Sequence, residues 1–376
     1  MSPAFFVERR EEWNALVRAL PQTDFRQSWE WGAFRASDGW GVVRAAVVAG
    51  DRALVAAQVM IRRVPGLGRL LYIPRGPLLA DDGETVAALA ELMTLLRRRV
   101  GGIFLRASPG APDDEADAPD PSVERLQAGG FVRLPELWSV WNTPRNVMRL
   151  DLTGSERDLL ARMARKRRQH VSTGERKGIV TTRSADLATL RTFHALHAEH
   201  GRRHHYPVPG WPTLTALYRE FGGAGGLAVV TGLVKQEMAG MLVGIRFGPV
   251  AHTLYLATTP AAHHTPVGDL LHWELIRWAR EAGCVALDLG SSCTGVPPLE
   301  THPNYGIYRF KAELGARLTL CVGYHDRVFA PLRYRIARLL EAHAHHVNRR
   351  LLGRLRLGVL GGRDGVPDAA PQPHAS

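Results

Sequence analysis

Cysteine is scarce in this chain: Cys284, Cys293 and Cys321 are the only three in 376 residues. Three thiols cannot staple a disulfide framework. They also lack the close paired spacing of a zinc site, so they read as buried free thiols. Long apolar runs are missing as well. The longest, Val42 to Ile61, is broken by Arg44, Asp51 and Arg52, short of the ~18 uncharged apolar residues that a membrane span needs. The opening MSPAFFVERREEW turns charged too early for a signal peptide. A reducing, cytoplasmic setting is therefore expected. Hydrophobic residues at 45% and charged residues at 22% exclude collagen-like and wholly disordered classes. The length suggests about two to three domains.

What is present is positive charge, a net +12 at pH 7. Such an excess speaks of polyanionic partners rather than of fold. It is clustered. Arg162, Arg165, Lys166, Arg167, Arg168, Arg176 and Lys177 face a single acid, Glu175, within one short stretch. From Arg327 to Arg363 nine arginines accompany one acid, Glu341. Clusters of this kind mark either a nucleic-acid or phosphate surface or a solvated helix face. Only four of the 48 basic residues are lysines. A lysine kept among aromatics and glycines, as Lys311 is in NYGIYRFKAELG, suits a tight site where a guanidinium fork would not fit. A plain surface lysine is the other reading.

The chain is also weakly duplicated. VVRAAVVAGDRALVAAQVMIRR, GRLLYIP and GGIFLRASP are echoed by LAVVTGLVKQEMAGMLVGIRF, AHTLYLAT and CVALDLGSS. Tyr72 and Tyr255 stand 183 positions apart, as do Arg106 and Leu289. One offset held across strand, helix and strand argues for two tandem copies of one domain. Ala53–Ile61 and Met238–Phe247 read as buried strands, preceded by hairpin turns at Gly50-Asp51 and Lys235-Gln236-Glu237. Gly268 to Ala282 reads as a helix, with Leu271, Leu275, Trp278 and Ala282 on one stripe and Gly283 as its cap. Val285–Leu289 follows as a short strand. The fold class expected is α+β with mixed sheets. The acidic, Pro-rich Pro109–Pro121 reads as a surface loop, Thr143 to Asp151 as the passage between copies, and the chain beyond Gly353 as a frayed tail.

Three segments, QSWEWGAFR (Gln27–Arg35), YIPRGP (Tyr72–Pro77) and YRFKAELG (Tyr308–Gly315), stand in order with Trp273-Glu274 and Leu287–Gly290 between the last two. In order and spacing they resemble the Fem family (FemA, FemB, FemX), aminoacyl-tRNA-dependent peptidyltransferases that build peptidoglycan cross-bridges. The resemblance covers about Phe25 to Pro331. It implies two acetyltransferase-like (GNAT-like) domains in tandem, at 1–145 and 146–324. No coiled-coil arm is visible, as in the compact FemX type. A C-terminal helix at about 325–350 is expected to pack back on the first domain, before a tail at 351–376.

The same resemblance implies the site. Phe310-Lys311 corresponds to the family's Phe-Lys near the reaction centre, with Tyr308 beside it. Arg35, after Trp31, stands where the family has a precursor-binding Lys, and an Arg fork pairs well with phosphate or carboxylate. The family's loop Arg is absent, and His263 or His264 stands in its place. Arg165, Lys166, Arg167 and Arg168 are expected on tRNA phosphates. Asp288 reads as a strand-end cap, or as a group orienting an amine. The partners implied are aminoacyl-tRNA and a nucleotide- or lipid-linked muropeptide precursor, with Gly, Ala or Ser transferred. Contact with the inner membrane surface is a further possibility, and a monomer is expected. The ester is already activated, so neither cofactor nor metal is required. A CoA-dependent N-acyltransferase on the same fold, a non-catalytic tRNA- or envelope-binding protein, and a transferase acting on protein N-termini stay open beside this reading.

Overall fold

A computed structural model describes residues 3–110, 121–135, 145–291, 298–302 and 304–351. The described chain divides into two compact units: residues 3–145 with 320–351, and residues 146–319. Each is α+β with a mixed sheet.

The first unit runs β1 (Phe5–Phe6), α1 (Arg10–Ala19), α2 (Trp29–Ala36), β2 (Gly41–Ala49), β3 (Arg52–Val64), β4 (Gly68–Pro74), β5 (Leu78–Leu79), α3 (Thr85–Arg99), β6 (Phe104–Ser108), α4 (Pro121–Ala128) and β7 (Val132–Arg133). The second runs β8 (Asn146–Asp151), α5 (Glu156–Arg162), α6 (Arg165–Thr173), β9 (Ile179–Ser184), α7 (Leu187–Arg203), α8 (Trp211–Phe221), β10 (Leu227–Val234), β11 (Glu237–Phe247), β12 (Val250–Thr258), α9 (Val267–Glu281), β13 (Ala286–Ser291), α10 (Tyr305–Glu313) and β14 (Arg317–Leu320). The chain then adds β15 (His325–Val328) and α11 (Pro331–Leu351) to the first unit.

The first sheet has the order β1-β2-β3-β4-β6-β15-β7, with β5 paired to β3. β3 is buried at every residue from Ala53 to Met60, because α1 and α3 both pack against it. A strand covered on both faces loses its polar alternation. The second sheet has the order β14-β8-β13-β12-β11-β10-β9. Its hairpin between β10 and β11 turns on Lys235 and Gln236, both at positive φ; two such residues make the tight turn that matches strand twist.

In the second unit α9 lies close on the sheet because glycines make room. A Cβ on Gly232 would sit 2.7 Å from Val267 Cγ2, and one on Gly244 2.5 Å from Leu275 Cδ1. Leu271 and Leu275 are thereby fully buried. Gly283, at φ +78, caps the helix.

One expectation is corrected. The described part of the passage at Thr143–Asp151 is β8, which pairs with β13 from Asp151↔Ala286 to Val147↔Ser291. Val147, Met148 and Leu150 are buried, and that apolar content draws the segment into the sheet. Residues 111–120 of the acidic loop, Cys293 and the tail beyond Gly353 lie outside the described residues. Cys284 and Cys321 are both buried.

Candidate active site

The second sheet forks. β12 and β13 are parallel, and their ladder has three rungs, Val250↔Ala286, Ala251↔Leu287 and His252↔Asp288. Beyond them β12 keeps to β11 as far as Thr258↔Gly240, while β13 keeps to β8 through Ser291↔Val147. The divergence begins at Gly290, which takes φ +77, a backbone state that glycine adopts without penalty. Asp288 braces the bend: its Oδ1 accepts the Gly290 N–H at 2.7 Å. Asp288 thus holds the bend from within β13, and its other oxygen lies 3.7 Å from His252 Nδ1.

Lys311 meets this bend. It stands in the last turn of α10, and its Nζ donates to the Ser291 carbonyl at 2.5 Å. Burial lowers its ammonium from the ordinary 10.5 to about 8, with Asp288 pulling the other way. Gly290 leaves space beside it, since a Cβ there would lie 3.9 Å from Lys311 Nζ. The helix end is fixed by Gly315, at φ +94, where a Cβ would come within 3.3 Å of the Arg162 carbonyl oxygen.

Around Lys311 sits a polar brace that sequence reasoning did not find. Asp269, buried in the first turn of α9, accepts from Arg167 Nη1 at 3.1 Å and pairs with His170 Nδ1 at 2.6 Å. Arg167 Nε also donates to Glu313 at 2.8 Å, and its guanidinium lies 4.7 Å from the Phe310 ring centroid. His272 packs edge-on against Phe310 at 5.1 Å. Burial lowers its imidazole to about 4, partly opposed by its bond to the Gly268 carbonyl. His272 is therefore neutral at physiological pH. α6, α9 and α10 are clamped together by these groups, so the helix that carries Lys311 is held from two sides. The only sequence signal was an Asp in the first turn of a helix, which does not name Arg167 as its partner.

The other expected residues fall in four places. Tyr308 is half-buried on α10, packed against the unit's core, with its ring 5.6 Å from that of Tyr305. His263 and His264 are exposed, after a turn at Pro260–Ala262, their rings 5.9 Å apart. On α6, Arg165, Lys166 and Arg168 are exposed, whereas Arg167 turns inward to the brace. The expected phosphate contact at Arg167 is thus corrected to a structural role: two carboxylates already occupy its fork.

Trp31 and Arg35 belong to the first unit, on α2. Arg35 has no exposed side-chain surface and pairs with Asp38 at 2.9 Å; its guanidinium lies 5.4 Å from the Trp40 ring. The ligand contact expected of Arg35 is corrected accordingly, since a wholly buried guanidinium reaches no ligand as folded. Trp31 is half-buried against Phe25 and Phe34, at 4.9 Å from each ring. The motif around them is an internal strut. Gln27 Nε2 donates to the Pro74 carbonyl at 2.6 Å and its Oε1 accepts from Gln58 N at 2.7 Å. Gly32 is required because a Cβ there would overlap Gln58 Oε1, at 2.1 Å. The Gln27–Arg35 and Tyr72–Pro77 segments are therefore joined by Gln27.

Among the described residues no group of three or more His, Cys, Asp or Glu is placed to hold a metal. None of the described helices is long and apolar enough to cross a membrane.

Comparison with known proteins fits this division. The FemAB family model matches residues 9–129, and a model of the acetyltransferase (GNAT) domain matches residues 157–311. The lipid II:glycine glycyltransferase of Staphylococcus aureus is 27% identical over 197 residues, 51% of this chain and 46% of that protein. The chain thus spans about half the length of the curated relatives it matches. A crystal structure of FemX superposes with a TM-score of 0.79 at 18% identity, covering 90% of this chain and all of FemX. The C-terminal domain of a putative lysylphosphatidylglycerol synthetase from Agrobacterium fabrum gives 0.53 at 15% identity, covering 94% and 100%. These two likenesses show a shared fold. The first unit is thus similar to the FemAB family, the second to the GNAT domain, and half of the chain to the S. aureus glycyltransferase.

Proposed function

We propose that the protein is an aminoacyltransferase of peptidoglycan cross-bridge formation. It moves Gly, Ala or Ser from the 3′ end of an aminoacyl-tRNA to an amine on the stem peptide of a nucleotide- or lipid-linked muropeptide precursor. The observation that carries this reading is the Lys311 ammonium, half-buried at the fork of the second sheet and held there by the α6–α9–α10 brace. The likeness to the S. aureus glycyltransferase supports the substrate class.

In the reaction the free amine attacks the ester carbonyl carbon. A C–N bond forms, the C–O bond to the tRNA ribose breaks, and the ribose oxygen leaves with the proton given up by the amine. The carbonyl oxygen carries the transient negative charge. Lys311 is suited to meet that charge or the terminal tRNA phosphate, because an ammonium fixed in a partly desolvated site needs no reorganisation as charge develops. Phe310 supplies the rigid apolar wall behind it. The ester is already activated, so positioning and electrostatics suffice. Arg165, Lys166 and Arg168, exposed on α6, are proposed contacts for tRNA phosphates, and His263 and His264 for the precursor.

Incubation with a pool of charged tRNAs and muropeptide precursor, followed by mass spectrometry, tests the proposal. One added amino-acid residue per stem peptide supports it; an unchanged precursor with every tRNA refutes it. The GNAT match favours a second reading, a CoA-dependent N-acyltransferase. The buried Asp269 in the first turn of α9 sets a negative charge where a pyrophosphate would dock at that helix end. Acetyl transfer from acetyl-CoA in the same assay would select this second reading.

A further inference from the structure

The polarity of α11 is inverted for a helix on a folded unit. Toward the unit it presents Ala337 and Glu341, both buried. Glu341 accepts from Arg106 Nη1 at 2.7 Å, and the neighbouring Tyr334 hydroxyl donates to Asp326 at 3.0 Å. Away from it stand Leu332, Ile336, Leu339 and Leu340, exposed to 75%, 50%, 70% and 49%. Positions i, i+4, i+7 and i+8 form one stripe of a helix, and a surface helix normally turns that stripe inward. An apolar stripe left outward marks an interaction surface.

Charge tells which partner suits it. At 3.6 residues per turn Arg333 falls on one edge of the stripe and Arg335 on the other, and both are exposed. The hairpin of β3 and β4 adds more: Arg63 lies opposite Arg69 in register, and a Cβ on Gly68 would sit 3.9 Å from Arg333 Nη1. We infer that α11 is a peripheral docking surface for an anionic lipid bilayer. Its apolar stripe enters the boundary between headgroups and acyl chains, and the flanking arginines meet lipid phosphates. An RNA would engage the arginines and leave the leucines in water. A second copy of the chain would bring the same positive charge against itself. The inference rests on the first unit alone and stands whether or not the transfer reaction does.

The test is co-sedimentation of the full chain with phosphatidylglycerol–phosphatidylcholine vesicles and with phosphatidylcholine vesicles. The wild type is expected to sediment with the anionic vesicles and to stay in solution with the neutral ones. Leu332→Gln/Ile336→Gln/Leu339→Gln should weaken the partition roughly a hundredfold. Arg333→Gln/Arg335→Gln should weaken it roughly fivefold per arginine at low salt. Should the triple variant misfold by circular dichroism, the arginine pair and the single Leu332→Gln carry the test. No vesicle binding by the wild type, or full binding by the stripe variants, overturns the inference. So does a wild-type dimer, seen by sedimentation velocity, that the stripe variant splits while neither protein binds vesicles, or a stripe variant that loses tRNA instead of lipid.

Discussion

Offset by 183 residues, the two units carry the same parallel strand pair, β4 with β6 and β12 with β13, and finish it differently. In the first unit the ladder has five rungs, from Leu70↔Phe104 to Pro74↔Ser108, and passes through Tyr72↔Arg106. In the second unit Tyr255 and Leu289, the counterparts of that pair, lie past the last rung. The closed pair is held by charge. Arg106 is wholly buried; it forks onto Asp326 at 2.8 Å and Glu341 at 2.7 Å, which β15 and α11 bring from the far end of the chain. Burial alone would lower its affinity for a proton, and the two carboxylates more than offset that, leaving it raised. The open pair has Leu289 in the apolar core at that position and Gly290 after it, where the first unit has Ala107. One copy of the duplicated domain has been locked shut by an ion triad. The other has been bent open by a glycine, and the lysine of α10 stands at the opening. At the matching position α4 has Ala128. The duplication thus separates a copy with a closed ladder from a copy whose ladder opens beside Lys311.

Placing the second unit's residue into the first gives the largest effect. Arg106→Leu strips the partner from two buried carboxylates and is expected to cost about 3–5 kcal/mol in urea unfolding; a loss under about 1 kcal/mol would mean that the triad does not lock the ladder. Next comes the pH profile of transfer. If the Lys311 ammonium is the working form, the rate holds below about 8 and falls as pH rises through that value, because the lysine is held well below its ordinary 10.5. Lys311→Arg, charged at all accessible pH, should lose that falling limb. A rate rising through 8 would assign the free amine instead.

Smaller effects probe the bend and the packing. Gly290→Ala imports Ala107 of the first unit. Space is available, so the cost is that of the left-handed backbone, about 1–2 kcal/mol; thermal unfolding unchanged from wild type would show that the bend is not glycine-dependent. Gly240 and Leu271 correspond to Ala57 and Ala88 in the first unit. A Cβ on Gly240 would lie 3.2 Å from Leu271 Cδ1. Gly240→Ala should therefore destabilise less in a Leu271→Ala background than in the wild type, with a coupling of about 0.5–1 kcal/mol; strict additivity would deny the size exchange.

The strands, the α9 helix and the duplicated plan were legible because they rest on local periodicity and a repeated offset. Lys311 stood out because the chain otherwise uses arginine, and its neighbours resembled a family motif. The fork was not legible: it depends on register, and nothing in VALDLGSS says which neighbour β13 will leave. The brace joins Arg167, Asp269 and Glu313 from three helices far apart in sequence, a pairing that composition does not encode. Arg35 looked like a ligand group because its motif position is charged, yet its guanidinium is sealed beneath Trp40. The outward stripe of α11 was readable only as an arginine-rich helix, because which face is inward depends on the partners of Glu341.

The most direct test compares transfer of an amino acid from charged tRNA to muropeptide precursor by the wild type and by Lys311→Ala, the residue that the closed copy carries. A single added residue with the wild type, formed about a hundredfold or more slowly by the variant, is the predicted result. Equal rates for the two proteins would remove Lys311 from the reaction and contradict the assignment of chemistry to the open fork.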